Sequence, residues 1–163
     1  MKEGRRHDGI SRREALIRLT AAAGAVAGIA PALAAQAKPA IAVYKDPNCG
    51  CCAKWVDHMK ANGFTASVTE TSDMAAIKSR YGVGDELASC HTTIAGGYVI
   101  EGHVPAGDVK RLLAEKPKNV AGLAIPGMPA SAPGMDLTPF VPYEVLSFDA
   151  AGKTAVFARH TKK

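Results

Sequence analysis

The chain has 163 residues, of which 47% are hydrophobic and 21% are charged, and its formal net charge is +5 at pH 7. This length fits one folded domain. The basic residues form no run that alternates with aromatic side chains, so the charge pattern predicts a solvated surface and no nucleic-acid partner.

The first 37 residues predict a cleaved export signal. Five arginines occur within residues 1–18, and residues 19–37 form an almost uncharged run rich in alanine and glycine. Small residues near Ala34 and Ala37 suit cleavage, and the lack of flanking stop-transfer charges argues against a membrane span that remains after cleavage. The segment SRREAL also resembles a twin-arginine signal, which leaves the export route open. We therefore predict an exported protein whose single folded domain is residues 38–163.

The remaining chain alternates predicted strands and helices in the order β-α-β-α-β-β-α. Apolar and β-branched runs predict the strands, and i, i+3, i+4 spacing of apolar residues predicts the helices. The strands are expected at 40–46 and 64–70 and as a hairpin over 92–104, and the helices between the cysteine motif and Asn62, between Ser72 or Asp73 and Gly82, and between Pro105 and Pro117. This order is typical of a thioredoxin-like α/β fold, with a central mixed sheet flanked by helices.

The C-terminal part differs in composition. Residues 122–136 are rich in proline, glycine and alanine, contain the tripeptide Pro-Gly-Met twice, and are predicted to form a loop. The segment YEVLSFDAAGKTAVFARH then predicts an extra C-terminal hairpin around its DAAG turn.

Three of the four cysteines lie in one short motif, YKDPNCGCCAKWVDHM, between the first strand and the first helix. Cys49 and Cys52 have the C-x-x-C spacing of redox proteins, in which a helix N-terminus favours the thiolate. Cys49 and Cys51 have a C-x-C spacing that suits two thiolates on one soft metal ion. The motif alone therefore allows either electron exchange between sulfur atoms or metal binding.

The fourth cysteine, Cys90, precedes the third predicted strand in ELASCHTTI and is followed by His91. In a thioredoxin-like fold this segment lies against the C-x-x-C motif, and redox members usually have a cis-proline there. Four converging thiols beside an imidazole favour a metal site. The alternatives are a thiol-disulfide oxidoreductase with Cys49 as nucleophile and Cys52 as resolving thiol, and a domain with two structural disulfides.

Soft sulfur ligands select Cu(I), with zinc as the weaker alternative for a four-cysteine site. Met128 and Met135, in the two Pro-Gly-Met segments, are candidate thioether ligands on a loop with few large apolar residues. A lone histidine at a strand end is usually solvated or hydrogen bonded, so His103 is left out of the predicted ligand set. His58 and His160 are expected at the surface.

Four segments in this order resemble the periplasmic CopG-like proteins, a family associated with copper resistance: KDPNCGCCAKWVDHM, ELASCHT, GYVIEGHVPAGDVKRLL and GLAIPGMPASAPGM. The resemblance implies a thioredoxin-like fold in which the C-x-C-C cysteines and the later cysteine bind copper, as a multinuclear thiolate cluster with redox activity. By position those residues are Cys49, Cys51, Cys52 and Cys90.

The sequence as a whole predicts a periplasmic copper-binding protein for copper tolerance or handling. Thiolates of the four cysteines would hold Cu(I), and His91, Met128 and Met135 would be auxiliary ligands or the entry path for the ion. The same sulfur atoms could also interconvert Cu(I) and Cu(II) by forming disulfides, and other periplasmic copper-handling proteins are the expected partners. A metal-binding role is favoured over an enzyme.

Overall fold

The computed structural model describes residues 37–162. The export signal predicted for residues 1–37 therefore lies outside the described residues, apart from Ala37. The seven strands are β1 (Ala40–Lys45), β2 (Thr65–Glu70), β3 (His91–Ala95), β4 (Tyr98–Glu101), β5 (Gly122–Ala124), β6 (Tyr143–Phe148) and β7 (Thr154–His160), and the helices are α1 (Gly50–Ala61), α2 (Met74–Arg80) and α3 (Ala106–Glu115), with a short 3-10 helix at Asp85–Leu87.

The strands form one mixed sheet in the order β2-β1-β3-β4-β5-β6-β7. β1 pairs parallel with β2 and antiparallel with β3, and β4 pairs parallel with β5. β3 and β4 form the hairpin predicted around Gly96 and Gly97, and both glycines have positive φ angles, as a tight turn requires. The predicted α/β class with a central mixed sheet and helices is confirmed.

Successive residues of β4 face opposite sides of the sheet, and each side has its own apolar core. Ile100 belongs to the larger core with Trp55 of α1 and Leu112 of α3. Val99 belongs to a smaller core on the other side, with Leu87 of the 3-10 helix. The larger core fixes α1, the helix that begins at the cysteine motif.

Most predicted elements are confirmed. No residue of α2 is fully buried, and Asp73, one of the two residues predicted at its start, accepts a hydrogen bond from the Ala76 amide at 3.0 Å. One detail of the prediction is wrong. β5 lies within the segment predicted as loop. Its three residues are buried between β4 and β6, and a Cβ at Gly122 would lie 2.0 Å from the Val99 carbonyl oxygen, so only glycine fits this close approach.

Candidate metal centre

The C-x-C-C motif lies where β1 ends and α1 begins. After β1, the Asn48 amide donates to the Asp46 side chain at 2.8 Å and the Cys49 amide donates to the Asp46 carbonyl at 3.0 Å, which turns the chain. Cys49 is the N-cap residue of α1, and the first turn of this helix has no acidic side chain. Cys49, Cys51 and Cys52 therefore lie at the positive end of a helix dipole.

The pairing of β1 with β3 places Cys90 beside the C-x-C-C motif. In the antiparallel β1–β3 pair Lys45 lies opposite His91, so the residue before β3 lies beside the segment that follows β1. The structure therefore brings together all four cysteines, which are separated by up to 41 positions in the sequence. The sulfur atoms within 4.8 Å of one another are those of Cys49, Cys51, Cys52 and Cys90.

Two of the four sulfur atoms are joined in this structure. Cys49 and Cys52 form a disulfide, whereas Cys51 and Cys90 are free. The Cys51 sulfur lies 3.6 Å from that of Cys49, and the Cys52 sulfur lies 3.8 Å from the Cys90 carbonyl oxygen. In this oxidised form Cys49 and Cys52 have no thiolate charge to offer a metal ion, because their sulfur atoms are joined to each other.

The cysteine cluster is closed on one side and open on the other. Cys52 is fully buried, while Cys49, Cys51 and Cys90 are half-buried. An ion or a partner thiol could therefore reach three of the sulfur atoms from solvent, while the fourth is supported by the core.

Two buried histidines extend the cluster. His91 and His103 are both fully buried, and their ligating atoms lie within 4.8 Å of one another and of the Cys52 and Cys90 sulfurs. His91 Nδ1 is 3.4 Å from the Cys90 sulfur, and the His91 ring packs on Trp55 at a centroid distance of 4.5 Å. His91 Nε2 has no hydrogen-bond partner among the described residues, which is unusual for a buried polar atom.

The hydrogen bonds of His103 determine its tautomer. Its Nδ1 lies 2.6 Å from the Pro133 carbonyl oxygen, which can only accept, so Nδ1 carries the proton. Nε2 then presents its lone pair to the Cys90 sulfur at 3.0 Å. An imidazole oriented in this way by a backbone carbonyl has the arrangement of a metal ligand. His103, which was left out of the predicted ligand set, is thus a candidate ligand.

The register of the predicted hairpin indicates that His103 lies opposite Cys90. Thr92 pairs with Glu101 across the two-residue turn at Gly96 and Gly97. Extending that register outward by two residues places Cys90 opposite His103. Counting outward from the turn therefore could have identified this histidine.

Cys90, His91 and His103 are held in their neutral forms. Burial, followed by the nearby Cys51 thiol, raises the pKa of Cys90 to about 12. Burial lowers the pKa of His91 well below its ordinary value, with further lowering by the positive charges of protonated His103 and Lys78. Burial also lowers the pKa of His103, against the opposing effect of the Pro133 carbonyl. Both imidazoles are therefore neutral at pH 7 and have lone pairs available.

The second Pro-Gly-Met segment packs on the start of α1. A Cβ at Gly134 would lie 2.8 Å from the Trp55 amide nitrogen and 2.9 Å from the Cys51 carbonyl oxygen, so the glycine allows backbone-to-backbone contact. Met135, which follows it, is half-buried. Met128 is 56% exposed. The structure thus places the Met135 segment against the cysteine helix, whereas Met128 projects into solvent.

The two histidines expected at the surface are not free side chains. His58 is half-buried, and its Nε2 accepts a hydrogen bond from the Ala106 amide at 3.2 Å, at the first residue of α3. His160 lies 2.7 Å from Asp108 and stacks on Tyr143. Each histidine connects α3 to a neighbouring element and remains partly exposed, and neither was predicted to bind metal.

Comparison with known proteins gives the family. The chain is similar to two solved structures of copper resistance protein CopG, form 1 and form 2, at 40% identity in each case. The TM-scores are 0.72 and 0.71, and the matches cover 77% and 76% of this chain and 99% and 98% of the two solved chains. This chain belongs to the CopG-like copper-resistance family.

Two further comparisons define the reach of this similarity. A family described as "Protein of unknown function, DUF411" matches residues 87–135 of this CopG-like chain, which include Cys90, both buried histidines and both Pro-Gly-Met segments. No protein in the curated collection matches the chain. Among the described residues, no helix has the length and apolar character needed to cross a membrane.

Proposed function

We propose that this protein is a periplasmic copper-binding protein that holds Cu(I) through the thiolates of Cys49, Cys51, Cys52 and Cys90, in copper tolerance or handling. The observation that carries the proposal is the convergence of four sulfur atoms within 4.8 Å of one another, from two segments far apart in sequence. The similarity to copper resistance protein CopG supports copper as the ion.

Metal loading requires the reduced form of the cluster. An external dithiol reductant would supply the two electrons and two protons that convert the Cys49–Cys52 disulfide to thiols, becoming a disulfide itself, and each thiol that binds an ion then loses its proton. Thiolates bridge soft ions readily, and four sulfur atoms this close could hold more than one Cu(I). The helix N-terminus at Cys49 partly offsets the mutual repulsion of the resulting negative charges.

Ligand chemistry favours copper over zinc. Thiolate and thioether sulfur are soft ligands that select Cu(I). The neutral imidazole of His91 would be an auxiliary ligand, since its ring is buried beside the Cys90 sulfur. Met128 and Met135 would serve the entry path, with Met128 exposed to solvent and Met135 on the segment that touches α1. Zinc remains the weaker competitor.

We also propose that the protein is exported to the periplasm and that its first four strands have a thioredoxin-like arrangement. The basic and apolar N-terminal segment supports export to the periplasm, where other copper-handling proteins would donate or accept the ion. A helix that begins at a C-x-x-C sequence after β1, facing the residue before β3, supports a thioredoxin-like arrangement for β1, β2, β3 and β4.

The two oxidation states of the cysteines would also permit copper redox conversion. Two Cu(II) ions could each accept one electron from two thiols, giving two Cu(I), one disulfide and two protons. The Cys49–Cys52 disulfide has the composition of that product, and the free Cys51 thiol lies 3.6 Å from Cys49.

The same disulfide favours a second candidate function, thiol-disulfide exchange with Cys49 as nucleophile and Cys52 as resolving thiol. The two functions differ in their need for Cys51. A reductant-dependent insulin turbidity assay on metal-free protein separates them. Robust turnover that survives Cys51→Ser would support the oxidoreductase, whereas copper binding needs Cys51.

Metal analysis of protein exported to its native compartment tests the proposed function. We expect copper in the isolated protein and four additional reactive thiols after chelation and reduction. A variant with all four cysteines changed to serine is the matched control and should carry no copper above background. Isolated wild-type protein that contains zinc, or no metal after growth in copper, would contradict the proposal.

A further inference from the structure

A buried ion pair lies beneath the segment that carries Cys90. Glu101, the last residue of β4, is fully buried, and its Oε1 accepts a hydrogen bond from Lys78 of α2. The Lys78 side chain is itself only 15% exposed. Burying two charges is costly unless their hydrogen bonds are satisfied, so such a pair needs a structural or functional reason.

The Glu101 carboxylate binds the chain on both sides of Cys90 and His91. Oε1 accepts from the Ser89 amide at 2.7 Å, and Oε2 accepts from the Thr92 hydroxyl at 2.7 Å. One side chain therefore fixes the residue before and the residue after the two candidate ligands. The Gly102 amide adds a bond to the His91 carbonyl at 2.9 Å.

The direction of the Cys90 side chain depends on this short segment. Cys90 lies before β3 begins, so the regular β1–β3 ladder stops at His91 and does not hold it. Ser89 is held instead by the Glu101 carboxylate and, through its hydroxyl, by the Gly127 carbonyl. Without Glu101 the Ser89 amide would lose its partner, and the backbone next to Cys90 would be held less firmly beside the other sulfur atoms.

Stability alone does not explain the pair. Replacing a buried ion pair by apolar residues of similar volume is often neutral or stabilising. The distinctive feature of Glu101 is that its two oxygens reach the backbone and side chain of the ligand-bearing segment, where an apolar residue could make neither bond.

We propose that Glu101, supported by Lys78, is the positioning residue of the copper centre. Its carboxylate holds the Ser89–Thr92 segment so that the Cys90 sulfur closes the cluster with the C-x-C-C motif. Lys78 holds the carboxylate in place through their hydrogen bond. This inference rests on the proposed copper function, and it assigns the task of orienting Cys90 to a residue that contacts no metal.

Two double variants separate hydrogen bonding from charge. Glu101→Gln/Lys78→Met removes both charges but retains an acceptor for the Ser89 amide and a donor for the Thr92 hydroxyl oxygen. Glu101→Leu/Lys78→Met removes the same charges and both of these bonds at similar volume. If the bonds position Cys90, the Gln variant should keep Cu(I) affinity within about threefold of wild type, and the Leu variant should lose about 10- to 100-fold, as is usual for outer partners of metal ligands.

A spectroscopic readout shows whether the Cys90 sulfur is lost. Co(II) added to the reduced protein gives sulfur-to-metal charge-transfer bands whose intensity follows the number of bound thiolates. The Leu variant should lose the same share of that intensity as Cys90→Ser, while the Gln variant should match wild type. A general loss of folding would instead reduce all of the absorption features together.

A third readout needs no metal. In a Cys51→Ser background with the disulfide intact, Cys90 is the remaining free thiol. Its rate of alkylation by iodoacetamide should rise at least about fivefold in the Leu variant and little in the Gln variant, because Cys90 is half-buried only while its segment is held. This measurement keeps its meaning even if wild-type protein proves not to bind copper.

The control is a core variant of matched stability. Val145 is fully buried on β6, two strands away from β4, and Val145→Ala should lower the melting temperature without changing either the cobalt spectrum or the Cys90 alkylation rate. Equal behaviour of the Gln and Leu variants in alkylation and cobalt spectra, whether both like wild type or both impaired, would overturn the positioning role. If Val145→Ala reproduced the Leu phenotype at the same melting temperature, the role would likewise be rejected.

Discussion

The two Pro-Gly-Met segments provide an internal comparison that tests how closely the second one is joined to the cysteine helix. Gly127 and Gly134 occupy the same place in the tripeptide, with φ angles of 69° and 86°. A Cβ at Gly127 would meet nothing within 4 Å, whereas one at Gly134 would meet backbone atoms of Trp55 and Cys51. Alanine at either position therefore introduces a Cβ at a residue with positive φ, but only alanine at Gly134 clashes with neighbouring backbone atoms.

The expected magnitudes follow from these contacts. A left-handed backbone costs a residue with a Cβ about 1–2 kcal/mol, so Gly127→Ala should lower the free energy of unfolding by roughly that amount. Gly134→Ala also forces a methyl group against the backbone of Trp55 and Cys51, which cannot move aside as a flexible side chain could. Such overpacking typically costs about 1–3 kcal/mol more. The Gly134 variant should therefore lose about 2–5 kcal/mol in total, or its loop should lift away from α1.

Urea unfolding of both variants and Cu(I) transfer to a competing chelator measure the two effects. Lifting the loop would also withdraw the Pro133 carbonyl that orients His103, so Gly134→Ala should exchange copper roughly tenfold faster than Gly127→Ala. Equal stability losses and equal exchange rates in the two variants would refute the conclusion that the second segment belongs to the centre.

Three further outcomes are expected. Cys90→Ser should reduce Cu(I) stoichiometry and affinity about as severely as a serine within the C-x-C-C motif, and full stoichiometry with unchanged affinity would show that Cys90 lies outside the metal centre. Met128→Leu together with Met135→Leu should cost under about 1.5 kcal/mol in thermal melts, because the swap conserves volume, and should change copper transfer kinetics but not the loaded core; unchanged kinetics would remove both methionines from the site. The unfolding free energy of metal-free protein should fall as pH drops below about 6.5, more through His91 than through His103, because the folded pKa of His91 is lowered well below its ordinary value, that of His103 is lowered less, and the unfolded chain takes up the protons first. Urea melts between pH 7.5 and 5.5 measure this loss, and a flat profile would contradict the neutral, buried state of the two rings.

Local patterns were sufficient to predict most of the fold. The hairpin at Gly96 and Gly97 and the start of α1 at the cysteines depend on nearby residues, and both are confirmed. β5 was not predicted because a three-residue segment is too short to show a periodic pattern. Its residues form a strand because they pair with β4 and β6.

The candidate site was predicted in part for the same reason. Cys90 could be placed beside the motif because strand order is a property of the fold, and the structure brings the sulfurs together. The orienting contacts of His103 with Pro133 and of Glu101 with Ser89 are long-range and depend on the loop after β5 and on the exact end of β4. The Cys49–Cys52 pairing is a redox state, which the C-x-x-C spacing permits but does not require.

Cu(I) preference over Zn(II) is the property on which the proposed function depends most directly. The measurement is a competition titration of the fully reduced domain, residues 38–163, under oxygen-free conditions, with the four thiols counted before and after loading. We predict tight Cu(I) binding that protects all four thiols and displaces Zn(II), because the converging ligands are soft sulfur atoms. Tighter binding of Zn(II), or Cu(I) loading that leaves Cys90 reactive, would contradict a four-cysteine copper centre.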